Sequence, residues 1–146
     1  MKKMYIFVLL LASPLMGLAQ KQDNGQAVLS RFFQIYESEG HAAAIRFGFS
    51  TNKWMGSNTQ AMEDLIVKLD QNVALLGEYI GYEEIASRMV GSRFRAVTCF
   101  VYYDRQPLRF SFQLYRNAQG WALWNFRFDS DYDDEVEEGM KLDGAG

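Results

Sequence analysis

The sequence holds one cysteine, Cys99, and one histidine, His41, and these two scarcities remove most familiar site chemistries. A lone cysteine closes no internal disulfide, so the fold must rest on apolar burial. A lone histidine excludes metal sites that need two imidazoles and any Ser-His-Asp triad built on a second histidine. A His41/Cys99 dyad survives the count. Cys99, however, lies mid-strand among apolar neighbours, where nothing stabilises a thiolate. Cys99 therefore reads as a small buried hydrophobe and His41 as a helix-start residue.

Proline is scarce too, at Pro14 and Pro107 alone, and there is no proline-rich linker, internal repeat or low-complexity tract, so one domain is expected. Long apolar runs are missing too. The longest N-terminal run, Met4 to Ala12, is about half of the roughly 20 residues a membrane-spanning helix needs. It follows Met1-Lys2-Lys3 and precedes Ser13-Pro14, Gly17 and Ala19, the charged, apolar, small-residue layout of a secretory signal cut before Gln20. Gln20, not a cysteine, stands directly after that cut, so no lipid attachment is expected. Residues 1–19 are thus read as a signal peptide, 20–140 as a single domain and 141–146 as a frayed tail. The mature protein is expected to be exported, periplasmic or secreted, without a membrane segment.

Basic charge is in short supply. Removing Lys2 and Lys3 from 15 basic residues leaves 13 against 18 acidic ones, a net charge of −5, with the acids gathered near the C-terminus. Nucleic acid and anionic membrane surfaces are disfavoured partners on that balance.

What is present is a clear change of period. Val28, Leu29, Phe32, Phe33 and Tyr36 recur at helical spacing up to Gly40. A short alanine-rich helix is expected over 41–47, then a loop over Ser50–Ser57 carrying Trp54. Met62, Leu65, Ile66, Leu69, Val73 and Leu76 define the strongest helix, with a capping box at Ser57 and Gln60 and a stop at Gly77. From Tyr79 the period becomes two. Four antiparallel strands are expected, near 79–89, 94–103, 108–115 and 121–128, with a bulge or bend at Gly81. The class is α+β: two or three N-terminal helices packed on a four-stranded antiparallel meander.

Pairing Tyr103 with Leu108 and Tyr115 with Trp121 sorts the strands into two faces. Val97, Cys99, Val101, Leu108, Phe110, Phe112, Leu114, Ala122, Trp124, Phe126 and Phe128 fall on the core face. The other face is mixed, with Phe94, Phe100, Tyr102, Arg109, Tyr115, Trp121, Leu123, Asn125 and Arg127 among its members. This face is too aromatic for a plain solvent surface and too polar for a core, which points to an interface.

Gly77-Glu78-Tyr79, the run Arg105-Gln106-Pro107-Leu108-Arg109-Phe110, and the stretch from Gly120-Trp121 to Phe126-Arg127-Phe128-Asp129 resemble exported bacterial members of the nuclear-transport-factor-two-like, or cystatin-like, superfamily. That resemblance implies a curved, cone-like sheet wrapped around the helices, a pocket at the open end, and dimerisation through the sheet. The superfamily includes enzymes, such as ketosteroid isomerase and scytalone dehydratase, and many non-catalytic members. No residue set here matches the acid–base residues of those enzymes.

Trp54, Tyr79 and Tyr82 would lie near the cone mouth and are the candidate ligand-binding residues. The assumed register sets Arg109 opposite Arg127, a like-charge pair that needs something negative between them. The acidic tail, close in sequence at Asp129 and Asp131, is the expected source; the alternative is a bound anion or a carboxylate from a second subunit, with Tyr102 and Asn125 as neighbouring hydrogen-bonding groups. Asp129-Ser130-Asp131-Tyr132-Asp133 has the alternate-acid spacing of a calcium loop, but Asp134 replaces the turn glycine and Met140 the bidentate glutamate, so no metal is expected. No cofactor is expected either.

The sequence thus favours a non-catalytic exported binding or interaction module. It would be a homodimer through the sheet face at Tyr102, Arg109, Tyr115, Trp121, Asn125 and Arg127, taking a small apolar ligand or another exported protein. The alternative is a small-molecule enzyme of isomerase, dehydratase or hydrolase type, with Glu83, Glu84 or Tyr82 as acid or base.

Overall fold

The computed structural model describes residues 23–143; the expected signal peptide and residues 144–146 lie outside them. The first helical stripe forms α1 (Gln26–Glu39), which buries Leu29, Phe32, Phe33, Ile35 and Tyr36. Gly40 ends it by donating its N–H to the Tyr36 carbonyl at 3.1 Å, and α2 (His41–Ser50) starts at once. This helix runs past the expected stop at Phe47. Gly48 acts as a spacer rather than a breaker: a Cβ there would lie 2.9 Å from Leu123 Cδ2, so glycine lets the helix close on the sheet.

The loop expected to carry Trp54 contains one helical turn, α3 (Lys53–Gly56), capped by Asn52, whose side chain accepts from the Trp54 N–H at 3.0 Å. The strongest helix is α4 (Thr59–Val73), capped by Asn58 through the Ala61 N–H at 3.3 Å. The expected Ser57–Gln60 box does not form, because Ser57 donates to the Trp54 carbonyl at 3.0 Å and Gln60 to Asp64 at 2.8 Å.

The strands are β1 (Tyr79–Val90), β2 (Phe94–Tyr103), β3 (Leu108–Asn117) and β4 (Gly120–Asp129), in the order β1-β2-β3-β4 with every pair antiparallel. The β1–β2 register shifts between Tyr79 and Gly81, the bulge foreseen at Gly81. Leu108 pairs with Val101 rather than Tyr103. That slip spans an even number of residues, so it leaves the faces unchanged and β2 and β3 alternate cleanly between core and outer side.

On β4 the expected register fails. Leu114 pairs with Leu123 and Gln113 with Asn125, which leaves Trp124 as an extra, bulged residue. One inserted residue exchanges the faces of the strand's first half. Trp124, expected in the core, is 52% exposed, whereas Leu123, expected outside, is 2% exposed. Trp121 is likewise moved to the core side, where its indole N–H donates to the Asp23 carbonyl at 3.2 Å.

The acidic segment, whose composition suggested a solvated tail, folds as α5 (Asp133–Asp143), with Asp133, Asp134 and Glu135 in its first turn, where the helix dipole favours negative charge. Between sheet and helices lies an aromatic core. Phe32 meets Phe112 edge to face with centroids 5.0 Å apart, and Phe110 meets Phe126 the same way at 5.2 Å. Ile45, Ile66 and Leu69 close it from α2 and α4.

Candidate functional site

Five elements converge at one end of the molecule. The last turns of α1 and α4, the first residue of α2, the start of β1 and the end of β2 enclose an open concavity of about 470 Å³. Tyr36, His41, Asp70, Val73, Tyr79 and Tyr103 are its main walls. Gly77 holds a left-handed backbone (φ 79°) where α4 turns into β1, and a Cβ there would lie 2.9 Å from Asp104 Cβ, so the turn that forms one edge of the concavity needs glycine.

The hydroxyls of Tyr36 and Tyr103 are hydrogen-bonded to each other, and both side chains are buried. Burial raises both phenols above their ordinary pKa, so each stays protonated at neutral pH. The Tyr79 ring packs on both, with centroids 5.3 Å from Tyr36 and 6.0 Å from Tyr103. Its phenol is pushed up to about 12, chiefly by burial and next by the negative charge of Glu37. Across the opening His41 Nε2 donates to Asp70 Oδ1, which ties the start of α2 to the last turn of α4. This His–Asp pair is partly open to solvent, with His41 21% and Asp70 58% exposed.

Of the residues proposed from sequence as ligand-binding, Tyr79 lines this concavity and Trp54 and Tyr82 do not. Trp54 stands 74% exposed on α3, with Lys53 Nζ over its ring at 5.0 Å. Tyr82 stacks flat on Phe33, centroids 3.6 Å apart, as rim packing. Glu84, a candidate acid or base, is the partner of a buried cation: Arg95, 3% exposed, donates to Glu84 at 2.7 Å, to Ser87 at 2.8 Å and to Gln26 at 2.9 Å. With three of its donors taken by three acceptors, Arg95 locks the β1–β2 hairpin to the start of α1. Glu83 lies exposed on β1. Cys99 is fully buried and its thiol is pushed up to about 12, first by burial, which leaves no thiolate for a His41/Cys99 dyad at neutral pH.

The outer face of the sheet differs from expectation at its charged end. Arg109 faces Asp129, not Arg127, and Arg127 pairs with Ser111. The Arg109 guanidinium grips Asp129 with two bonds of 2.9 and 3.1 Å and Glu135 of α5 with a third of 2.7 Å. Two carboxylates, rather than a second arginine, thus surround the Arg109 guanidinium. Tyr132 packs on Phe100 beside this clamp, so α5 is anchored to the outer face. Asp129 also caps the following turn by accepting from the Asp131 N–H at 3.0 Å, and among the described residues no three His, Cys, Asp or Glu side chains are grouped to hold a metal ion. Tyr102 is half-buried next to Phe100, and Asn125 is exposed. Farther along the same face Phe94, Tyr115 and Trp124 line an apolar hollow of about 340 Å³, with Tyr115 40% exposed.

Sequence reasoning missed Tyr36, His41, Asp70 and Tyr103 as members of one site. Tyr36 read as an ordinary core position of α1, and Tyr103 only as the end of a strand. No family model, curated protein or solved structure matches the chain.

Proposed function

We propose that the protein is a non-catalytic exported binding module of nuclear-transport-factor-two-like architecture, taking one small, largely apolar ligand in the concavity between Tyr36, Tyr79 and Tyr103. The filled interior carries this reading. Phe32, Phe33, Phe110, Phe112 and Phe126 occupy the space where a deep catalytic pocket would lie, and the open room of about 470 Å³ is left at the mouth. That volume falls within the usual range for small-molecule sites. The N-terminal leader supports export, and the order of helices followed by a four-stranded meander supports the superfamily.

The test is a fragment screen by ligand-observed NMR on the chain beginning at Gln20, repeated with Ala74→Trp, which plugs the mouth from the end of α4 without touching the buried core. Fragments that bind the native chain and are displaced by the plug support the reading. Fragments that ignore the plug contradict it.

A second reading concerns the outer sheet face. Exposed Trp124 and Tyr115 beside Phe94 favour a homodimer through the sheet, or docking of another exported protein there. A chain that stays monomeric at high concentration in analytical ultracentrifugation removes the homodimer. An acid–base enzyme remains the rival class, favoured by the His41–Asp70 pair at the edge of the same mouth.

A further inference from the structure

The sheet is open, and its two edges are finished differently. At β4, Asn52 and Thr51 bond both main-chain groups of Leu123. At the other end of the strand order, among the described residues, no backbone group outside β2 is hydrogen-bonded to β1. From this edge we infer that β1 pairs antiparallel with β1 of a second copy, about a two-fold axis at Ala86, and joins two sheets edge to edge. The contact is separate from the concavity and from the outer face at Trp124.

A row of free N–H and C=O groups is a template for another strand, and edges are commonly guarded by shortness, proline, lysine or an inward-pointing charge. β1 is 12 residues long and has neither proline nor lysine. Its inward charge, Glu84, is matched by Arg95 and does not guard the edge. Ile80, Ile85, Met89 and Val90 stand exposed along the strand. Its bulges fall at Ile80 and Ile85 and leave regular pairing with β2 on both sides of Ile85.

The bulge at Ile85 also arranges the charges. Glu83 is paired with Phe100 and Arg88 with Ala96, so both lie on the outer face of the sheet. An unbulged strand would turn two residues five apart to opposite faces. Neither Glu83 nor Arg88 has an ion-pair partner among the described residues, and both are exposed.

A two-fold contact brings the same strand from both sides, so the strand must complement itself. Centred on Ala86, the antiparallel pairing that keeps outer residues opposite outer residues sets Glu83 of each copy against Arg88 of the other. On the inner side it sets Tyr82 against Met89. Opposite charges, and an aromatic ring beside an apolar chain, are favourable cross-strand pairs. The neighbouring registers set Ala86 against Glu83 or Arg88 instead and leave the charges unmatched. A foreign strand would have to bring this spacing with it, whereas a second copy already carries it.

Sedimentation of the chain beginning at Gln20 over a wide concentration range, with charge reversals, tests the pairing. The native chain should form a dimer and nothing larger, since the two-fold contact closes. Glu83→Arg and Arg88→Glu should each weaken it about tenfold or more, because each turns both symmetric pairs from attraction to repulsion. The double exchange, Glu83→Arg with Arg88→Glu, restores opposite charges and should restore the dimer, which a misfolded variant would not do. Trp124→Arg should leave the dimer intact, and concentrating the native chain should slow amide exchange over residues 86–90. A chain that stays monomeric overturns the pairing and leaves the edge to a foreign strand. Single reversals without effect, or a double exchange that fails to recover the dimer, also overturn it. A dimer lost with Trp124→Arg and indifferent to the charges would put the contact on the outer face.

Discussion

Asn52 donates its side-chain Nδ2 to the carbonyl of Leu123 at 3.0 Å, and its neighbour Thr51 accepts from the Leu123 N–H at 2.9 Å. Both main-chain groups of Leu123 are thus satisfied by side chains from the α2–α3 junction, which stands in for a neighbouring strand beside the β4 bulge. Asn52 is 3% exposed and also caps α3, so removing its amide orphans groups on two elements. Asn52→Ala is expected to cost about 1–3 kcal/mol in urea unfolding, the penalty of unpaired buried polar groups. A loss under about 0.5 kcal/mol would show that water replaces the amide without difficulty.

The bulge at Trp124 makes opposite predictions for adjacent residues. Leu123→Ala empties a buried site and should cost about 2–5 kcal/mol, whereas Trp124→Ala trims an exposed ring and should change stability by no more than about 0.5 kcal/mol. Chemical denaturation of the two variants side by side decides the register. The reverse ranking would restore the unbulged strand, with Trp124 in the core.

Arg109 holds α5 by its bond to Glu135, and Tyr132 against Phe100 adds an apolar contact. Replacing the guanidinium by an uncharged side chain leaves Asp129 and Glu135 facing each other without a cation. Arg109→Met should destabilise the chain by about 1–3 kcal/mol and should speed amide exchange in α5 most, at Val136 among others, where the N–H is bonded to the Tyr132 carbonyl at 3.1 Å. Unchanged exchange in α5 would mean that the helix is held by contacts other than this clamp.

Alkaline pH should weaken the fold in a definite window. The Cys99 thiol rises from 9.0 to about 12 on folding, through burial first and the Glu84 charge second, against a lowering by Arg95. Between those values the unfolded chain has released the proton and the folded chain keeps it, so stability present in full below pH 9 falls as pH rises. The buried tyrosines add to the fall from about pH 10, the ordinary phenol value. Cys99→Val should flatten the curve of melting temperature against pH between 9 and 10 and leave the steeper part above it. Identical curves would place the thiol in contact with solvent.

The period of two made β2 and β3 legible to within a residue or two, because every second side chain faces the aromatic core. The β4 bulge was not legible, since Leu123 and Trp124 are both large and apolar and only tertiary contact decides which one turns inward. The side chain that holds the Leu123 carbonyl beside it belongs to Asn52, 71 residues away. The acid-rich segment concealed α5 because its few apolar residues, such as Val136 and Met140, stay exposed and leave no buried stripe to read. The concavity was hidden for a different reason: Tyr36, His41, Asp70 and Tyr103 sit on four elements, and each has an ordinary local explanation. One signal was available in advance, the asparagines Asn52 and Asn58 ahead of helical runs, which are the caps in fact used.

What occupies the mouth between Tyr36, Tyr79 and Tyr103 decides the function of the protein. A crystal structure of the chain beginning at Gln20, grown with the tightest-binding apolar fragment from the screen, tests this most directly. The expected result is the fragment lying against Val73 and Ala74 beside Tyr36, Tyr79 and Tyr103. Density for the fragment on the hollow at Phe94, Tyr115 and Trp124 alone, with only water at the tyrosines, would contradict the binding reading and move the functional surface to the outer face of the sheet.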